Sequence, residues 1–251
     1  MRFCGLRKQK KDLKLQNLND LHIQIFADTG NLAEIILLKK NPLIKGFTTN
    51  PSLMRKAGVK SYEVFAIATL LVTDKPISFE VFADDHLGMM EQAKKISSWG
   101  DNVYVKIPVI NTKEEFNGQT IEELTNAGIK INVTGVFTFG QVRAVHECLN
   151  RLTPNIISIF AGRIADTGID PIPLMEKTVE LFMGHGKTGV LWASTREVLN
   201  IFQADKAGCD IITVTPDILD KLPLVGKDLS FYSLETVQQF YNDAKEADYA
   251  L

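Results

Sequence analysis

The 251 residues contain only three cysteines, Cys4, Cys148 and Cys209, standing far apart in the chain. An odd number at those separations gives neither a disulfide framework nor the paired spacing of a zinc site, and it suits a reducing compartment. No run of 18 or more apolar residues occurs, so no membrane-spanning helix is expected. No apolar stretch follows the basic opening segment MRFCGLRKQKKDLK; residues 1–21 are read as a solvated arm and not as a signal peptide. Neither sign of charge is in excess: 28 Lys and Arg against 30 Asp and Glu leave a formal net charge of −2. That balance implies no bulk attraction to nucleic acid or to an anionic membrane. Linkers, repeats and low-complexity segments are missing as well, so nothing divides the main body into domains.

What is present alternates. Short β-branched runs lie at 22–28, 44–50, 77–82, 103–108, 131–137, 156–162, 190–194 and 211–216. Helical patterns lie between them, among them 31–40, 61–72, 86–99, 120–128 and 194–208, and Gly100, Gly128 and Gly208 stand where left-handed C-caps are expected. Strands alternating with crossover helices imply a parallel sheet, and eight such units at this length predict a closed (β/α)8 TIM barrel over 22–222. The alternative, a doubly wound open sheet, lacks the G-x-G-x-x-G turn after its first strand. Residues 223–251 read as a C-terminal helical extension, with Phe231, Leu234, Val237, Phe240 and Tyr241 on one stripe.

Strand parity sorts the polar residues. Alternate side chains face opposite ways, and in a barrel one set packs on the helices while the other lines the interior. The strand VYVKIP puts Val103, Val105 and Ile107 outward, and Lys106 inward with Tyr104. The same rule turns Asp28, Asn50, Glu80, Asn132, Thr134 and Ser158 into the same space, with Thr48 on the face of Asn50 and Phe160 on that of Ser158. Arg163 follows the sixth strand, Ser194 ends the seventh, Arg196 opens the next helix, and Trp192 falls inward as core. A single inward polar side chain is an ordinary satisfied core residue. Seven, with a lysine and two carboxylates among them, are costly unless paired and put to use.

A lysine amine held in such a place is a nucleophile toward a carbonyl, forming a Schiff base. Burial favours the neutral amine it needs, while neighbouring carboxylates favour the ammonium. The carboxylates can carry the protons of carbinolamine formation and carbon–carbon cleavage, and Arg163 and Arg196, with Ser194 and Ser158, can hold a phosphate. Metal ligands for a zinc-dependent alternative are missing. Residue chemistry alone therefore points to Schiff-base carbon–carbon chemistry on a phosphorylated carbonyl compound.

Five segments in order, FADTGNLAEI, GFTTNPSLM, VYVKIP, SIFAGRIAD and WASTREVLN, resemble the transaldolase family over about residues 22–222. The resemblance implies a class I aldolase-type barrel with no cofactor and no metal. It implies that Lys106 forms the Schiff base, and that Asp28 takes the proton of the ketose C4 hydroxyl. Glu80 with Thr134 and a water would shuttle protons at the carbinolamine. Asn50 and Asn132 would bind hydroxyls beside Thr48 and Phe160, and Ser194, Arg163 and Arg196 would hold phosphate with Ser158 beside them. It further implies sugar-phosphate substrates of the pentose phosphate pathway, no nucleic-acid or membrane partner, a cytoplasmic homo-oligomer, and a tail helix suited to exchange between subunits.

Two alternatives stay open. A fructose-6-phosphate aldolase, which releases dihydroxyacetone, resembles this chain in length, but that group often carries Gln at the position of Glu80 and Tyr at that of Phe160. A non-catalytic sugar-phosphate-binding barrel would keep the ligand without turnover. Two motifs mislead. The tripeptide Asp-Thr-Gly occurs at 28–30 and 166–168, yet the aspartic proteases it marks are all-β. GHGKTG at 184–189 lacks the first glycine of a P-loop and precedes a strand, and its His185 has no partner in view.

Overall fold

A computed structural model describes residues 17–249; the basic segment at the start of the chain lies outside the described residues. Eight strands run in one direction: β1 (Gln24–Asp28), β2 (Ile44–Thr48), β3 (Ile77–Glu80), β4 (Val103–Pro108), β5 (Ile131–Val136), β6 (Asn155–Ile159), β7 (Thr188–Trp192) and β8 (Ile211–Val214). Each pairs with the next in parallel, and β8 returns to β1, so the sheet closes as a barrel. The crossovers are α1 (Leu32–Leu38), α2 (Pro51–Lys56), α3 (Tyr62–Val72), α4 (His86–Ser97), α5 (Gly118–Asn126), α6 (Phe139–Cys148), α7 (Ala161–Asp166), α8 (Ile172–Phe182), α9 (Leu199–Lys206) and α10 (Pro216–Leu219). The architecture is a (β/α)8 TIM barrel, as the alternation predicts. No helix among the described residues is long and apolar enough to cross a membrane.

Parity explains the two cores. Phe47, Phe79, Val105, Ile107, Val133 and Ile157 are fully buried between strands and helices. Inside the barrel, Phe26, Ile156, Leu191, Ala193 and Ile211 form an apolar plug, with Tyr104 and Phe160 packed on it. Gly46 leaves the space that the Phe26 ring fills: a Cβ there would lie 2.5 Å from the ring.

Several expectations are corrected. Leu191 and Ala193 take the inward positions of β7, so Trp192 faces the helices; it is core, but not of the interior. The expected helix at 194–208 starts only at Leu199. Ser194 takes a left-handed φ of 63°, and the side-chain oxygen of Asn200 accepts the N–H groups of Arg196 and Glu197. Arg196 thus sits in a loop. The sixth strand stops at Ile159, because α7 begins at Ala161. Gly128 and Gly208 take the left-handed cap conformation, but Gly100 does not. His185 has a partner: its ring centroid lies 4.4 Å from that of His146.

Residues 22–220 form one compact unit; residues 17–21 and 221–249 belong to another. The latter carries α11 (Leu229–Glu246), capped by Asp228, whose side chain accepts the Phe231 N–H at 2.8 Å. The stripe of Phe231, Leu234, Val237, Phe240 and Tyr241 is between 51% and 68% exposed.

Candidate active site

The C-terminal ends of the strands open into a cavity of about 570 Å3. All twelve residues singled out in the sequence line it: Asp28, Thr48, Asn50, Glu80, Lys106, Asn132, Thr134, Ser158, Phe160, Arg163, Ser194 and Arg196. Register brings the central ones together. Glu80 of β3 pairs with Lys106 of β4, and Lys106 with Asn132 of β5, so three inward side chains stand abreast at the spacing of adjacent strands.

Lys106 Nζ lies 3.2 Å from Glu80 Oε2, and the two side chains are only 8% and 18% exposed. The amine also donates to the Thr49 carbonyl oxygen at 3.0 Å. Its ion pair is with Glu80 and not with Asp28. A buried pair of this kind is weak support for stability, because desolvation consumes most of the Coulombic gain.

A chain of hydroxyls orients Asp28. Thr48 Oγ1 donates to Asp28 Oδ1 at 2.7 Å and is itself hydrogen-bonded to Thr213 Oγ1. The single proton of Thr48 is spent on Asp28, so Thr213 is the donor to Thr48. Burial raises the Asp28 pKa above the ordinary carboxylate value; Lys106 and the Thr48 bond pull it back down. On the other side of the lysine, Ser158 Oγ donates to Asn132 Oδ1 at 2.7 Å, and Asn132 Nδ2 donates to Ser78 Oγ at 3.1 Å. This fixes the Asn132 amide plane. The Thr134 hydroxyl is buried and has no protein partner among the described residues, which leaves it for a water or a ligand in the cavity.

Asn50 is the N-cap of α2: its Oδ1 accepts the Leu53 N–H at 2.9 Å, with Pro51 in the first helical turn. Capping occupies the oxygen, and the Nδ2 is left to donate into the cavity. Arg163 and Arg196 supply positive charge at the rim. The Arg163 guanidinium lies 5.3 Å from the Phe160 ring centroid. Arg196 Nε donates to Asp166 Oδ1 at 3.1 Å, and Nη2 reaches Asp166 Oδ2. That bond holds the Asp166 carboxyl below its ordinary pKa. Both arginines line the cavity, and the segments that carry them approach closely: Gly162 N–H bonds the Ala193 carbonyl at 3.3 Å, just past the end of β7, and a Cβ on Gly162 would lie 1.5 Å from the Ser194 oxygen.

Ser78 lies on the inward face of β3 with Glu80, as strand parity expects. Thr213 and Thr49 are additions: parity could have found Thr213 on the inward face of β8, whereas Thr49 acts through its backbone and carries no side-chain signal. The arrangement offers a buried amine, two separately held carboxyls, hydroxyl and amide donors, and a dibasic rim.

Over residues 25–251 the chain matches the family described as Transaldolase/Fructose-6-phosphate aldolase. A "Probable transaldolase" of Methanococcus maripaludis (strain C5 / ATCC BAA-1333) is 36% identical over 201 residues, covering 80% of this chain and 89% of that protein. A "Probable transaldolase" of Clostridioides difficile (strain 630) is 33% identical over 214 residues, covering 84% and 95%. Among solved structures, 2,3-dimethylmalate lyase, a PEP mutase/isocitrate lyase superfamily member, is similar with a TM-score of 0.53 at 8% identity. That likeness, one of fold alone, covers 92% of this chain and 86% of the other.

Proposed function

We propose, from the premise that this chain belongs to the transaldolase/fructose-6-phosphate aldolase family, that it is a transaldolase. It moves a dihydroxyacetone unit from a ketose phosphate, fructose 6-phosphate or sedoheptulose 7-phosphate, to an aldose phosphate, glyceraldehyde 3-phosphate or erythrose 4-phosphate.

The Lys106 amine attacks the ketone carbon, and the carbinolamine loses water to give an imine. Glu80, 3.2 Å from Nζ, passes the protons of that step, with Thr134 holding the water. Asp28 then takes the C4 hydroxyl proton as the C3–C4 bond breaks. The aldose phosphate leaves, and the bond's electron pair stays on the lysine-bound carbons as an enamine. The acceptor aldehyde takes up that pair at its carbonyl carbon, Asp28 returns the proton to the new hydroxyl, and hydrolysis frees the product. Asn50 and Asn132 hold sugar hydroxyls; Arg163, Arg196 and Ser194 hold the phosphate. No cofactor is needed for any step. The reading includes a cytoplasmic homo-oligomer, for which the exposed apolar stripe of α11 is the support.

The observation that carries the reading is the enclosed Lys106–Glu80 pair beside Asp28, an arrangement whose desolvation cost offsets most of its Coulombic gain. The competing reading is net cleavage to free dihydroxyacetone. Phe160 favours transfer, because a phenyl ring offers no hydroxyl to relay a proton to the enamine. The test is borohydride reduction in the presence of fructose 6-phosphate, followed by peptide mass mapping. An adduct on Lys106, lost in Lys106→Ala, is expected; its absence sinks the mechanism. Dihydroxyacetone released as fast as transfer would make the protein an aldolase, and binding that survives without any turnover would make it a sugar-phosphate binder.

A further inference from the structure

Glu80 sits where β3 loses a neighbour. The pairing of β2 with β3 ends at Thr48 and Ser78, followed by one more bond from Thr49 N–H to the Ser78 oxygen. The chain then turns at Asn50 into α2. On the other side β3 stays paired: Val81 N–H donates to the Lys106 carbonyl at 3.2 Å. In a parallel strand the peptide groups alternate sides, so the N–H and C=O of Glu80 both point to where β2 would have continued. A single atom meets them. The Tyr62 hydroxyl, at the start of α3, accepts from Glu80 N–H at 2.6 Å and donates to Glu80 C=O at 2.9 Å.

That hydroxyl is the polar end of an aromatic group. The Tyr62 ring meets Phe82 edge-on at 4.5 Å between centroids, Phe79 at 6.1 Å and Trp99 at 6.0 Å. The ring can leave only by disrupting that packing, so the oxygen is held in place from behind. Burial also raises its pKa, keeping the proton that the Glu80 carbonyl needs.

We infer that Tyr62 is a positioning residue of the reaction: its hydroxyl replaces the missing strand, fixes the end of β3, and so holds the Glu80 carboxylate against Lys106. The inference rests on the reading of Glu80 as the proton carrier at the carbinolamine. Tyr62 does not touch the substrate. It acts on a carboxylate whose usefulness depends on standing within hydrogen-bond reach of the amine, and displacements of about 1 Å at such a centre can cost a factor of about 100 in rate.

The test compares the full-length protein with Tyr62→Phe, which removes the hydroxyl and keeps the ring. Single-turnover formation of the borohydride-trappable adduct with fructose 6-phosphate should slow about tenfold, with KM within about twofold of the parent value. In a Glu80→Gln background the same change should alter the rate less than twofold, because the carboxylate it positions is already gone. Trp99→Phe, which trims the packing but keeps the hydroxyl, should leave the rate near that of the parent. Should Tyr62→Phe not fold, amide exchange on the unaltered protein decides: Glu80 N–H should be as protected as its neighbours in mid-strand, and rapid exchange overturns the inference. An equal loss in both Glu80 backgrounds, or an unchanged rate in Tyr62→Phe, overturns it while leaving the transaldolase reading intact. No adduct in the parent protein would overturn both.

Discussion

The close approach at Gly162 has a cost that can be worked out. A methyl group there would lie 1.5 Å from the Ser194 carbonyl oxygen and 2.7 Å from its carbonyl carbon. Ordinary carbon–oxygen contacts are about 3.3 Å or longer, so Gly162→Ala must drive α7 and the Ser194 loop apart by roughly 1.8 Å. Both sides of the gap are backbone, and no side-chain rotation relieves the clash. Arg163 rides on α7, while Ser194 and Arg196 ride on the loop, so the substitution separates the two halves of the proposed phosphate grip. It leaves Lys106, Glu80 and Asp28 on their own strands. Stability should fall by about 1–3 kcal/mol, the usual range for overpacking. The kinetic effect should be larger and selective: kcat/KM for fructose 6-phosphate should drop about 100-fold, and that for unphosphorylated fructose much less. The assay is the ratio of the two kcat/KM values, measured beside a thermal melt. A folded Gly162→Ala protein that prefers the phosphorylated sugar as strongly as the parent does would refute the assignment of this rim to phosphate.

Three further outcomes are expected. Thr48→Val removes the hydrogen bond that lowers the Asp28 pKa; since Asp28 must be ionised to act as base, the acid limb of the kcat/KM–pH profile should move to higher pH, and an unmoved limb would separate Asp28 from the chemistry. In Asp28→Asn, turnover should fall by a factor of about 100 to 10,000 while thermal stability at neutral pH rises. The folded-state pKa of Asp28 is raised by burial, so its ionised form costs stability above that pKa and nothing below the ordinary carboxylate value; the stability difference should therefore vanish in acid, and a pH-independent difference would exclude that origin. Glu80→Gln combined with Phe160→Tyr should raise dihydroxyacetone release relative to transfer, measured with and without an aldose phosphate acceptor; an unchanged ratio counts against the roles given to both positions.

The barrel was legible because each strand is short, β-branched and followed by a helical period, and because polar residues interrupt the inward face at regular places. Lys106 in VYVKIP is the plainest case, its neighbours Val105 and Ile107 defining the other face. Legibility failed where a strand is apolar on both sides. In VLWAS the strand ends at Trp192, before the one polar residue, Ser194, which shares the parity of Trp192 but has turned out of the strand at a left-handed φ. The strand itself is buried on both faces, as in any parallel barrel, and Leu191 and Ala193, not Trp192, hold the inward positions. It failed again where a side chain replaces secondary structure. Asn200 draws Arg196 and Glu197 out of the helix their sequence suggests, and Tyr62 looks like an ordinary helix-start aromatic until its contact with Glu80 is seen. The hydroxyl relay through Thr213 needs three strands at once, β8, β2 and β1, which no local pattern encodes.

The two bonds made by Lys106 carry a stereochemical consequence. Once the ammonium of the ion pair has given up a proton, as the proposed attack requires, the amine has two protons and one lone pair. Here the Thr49 carbonyl and the Glu80 carboxylate offer an acceptor for each proton, which leaves a single tetrahedral direction for the pair. Such a nucleophile addresses one face of a prochiral ketone. The enamine formed on it would then lie between unlike walls, with the Asp28 hydroxyl chain to one side and the Asn132 amide to the other. An incoming aldehyde meets those walls in a fixed order. The handedness of the new carbon–carbon bond would thus be set by the order in which eight strands close, before any substrate arrives.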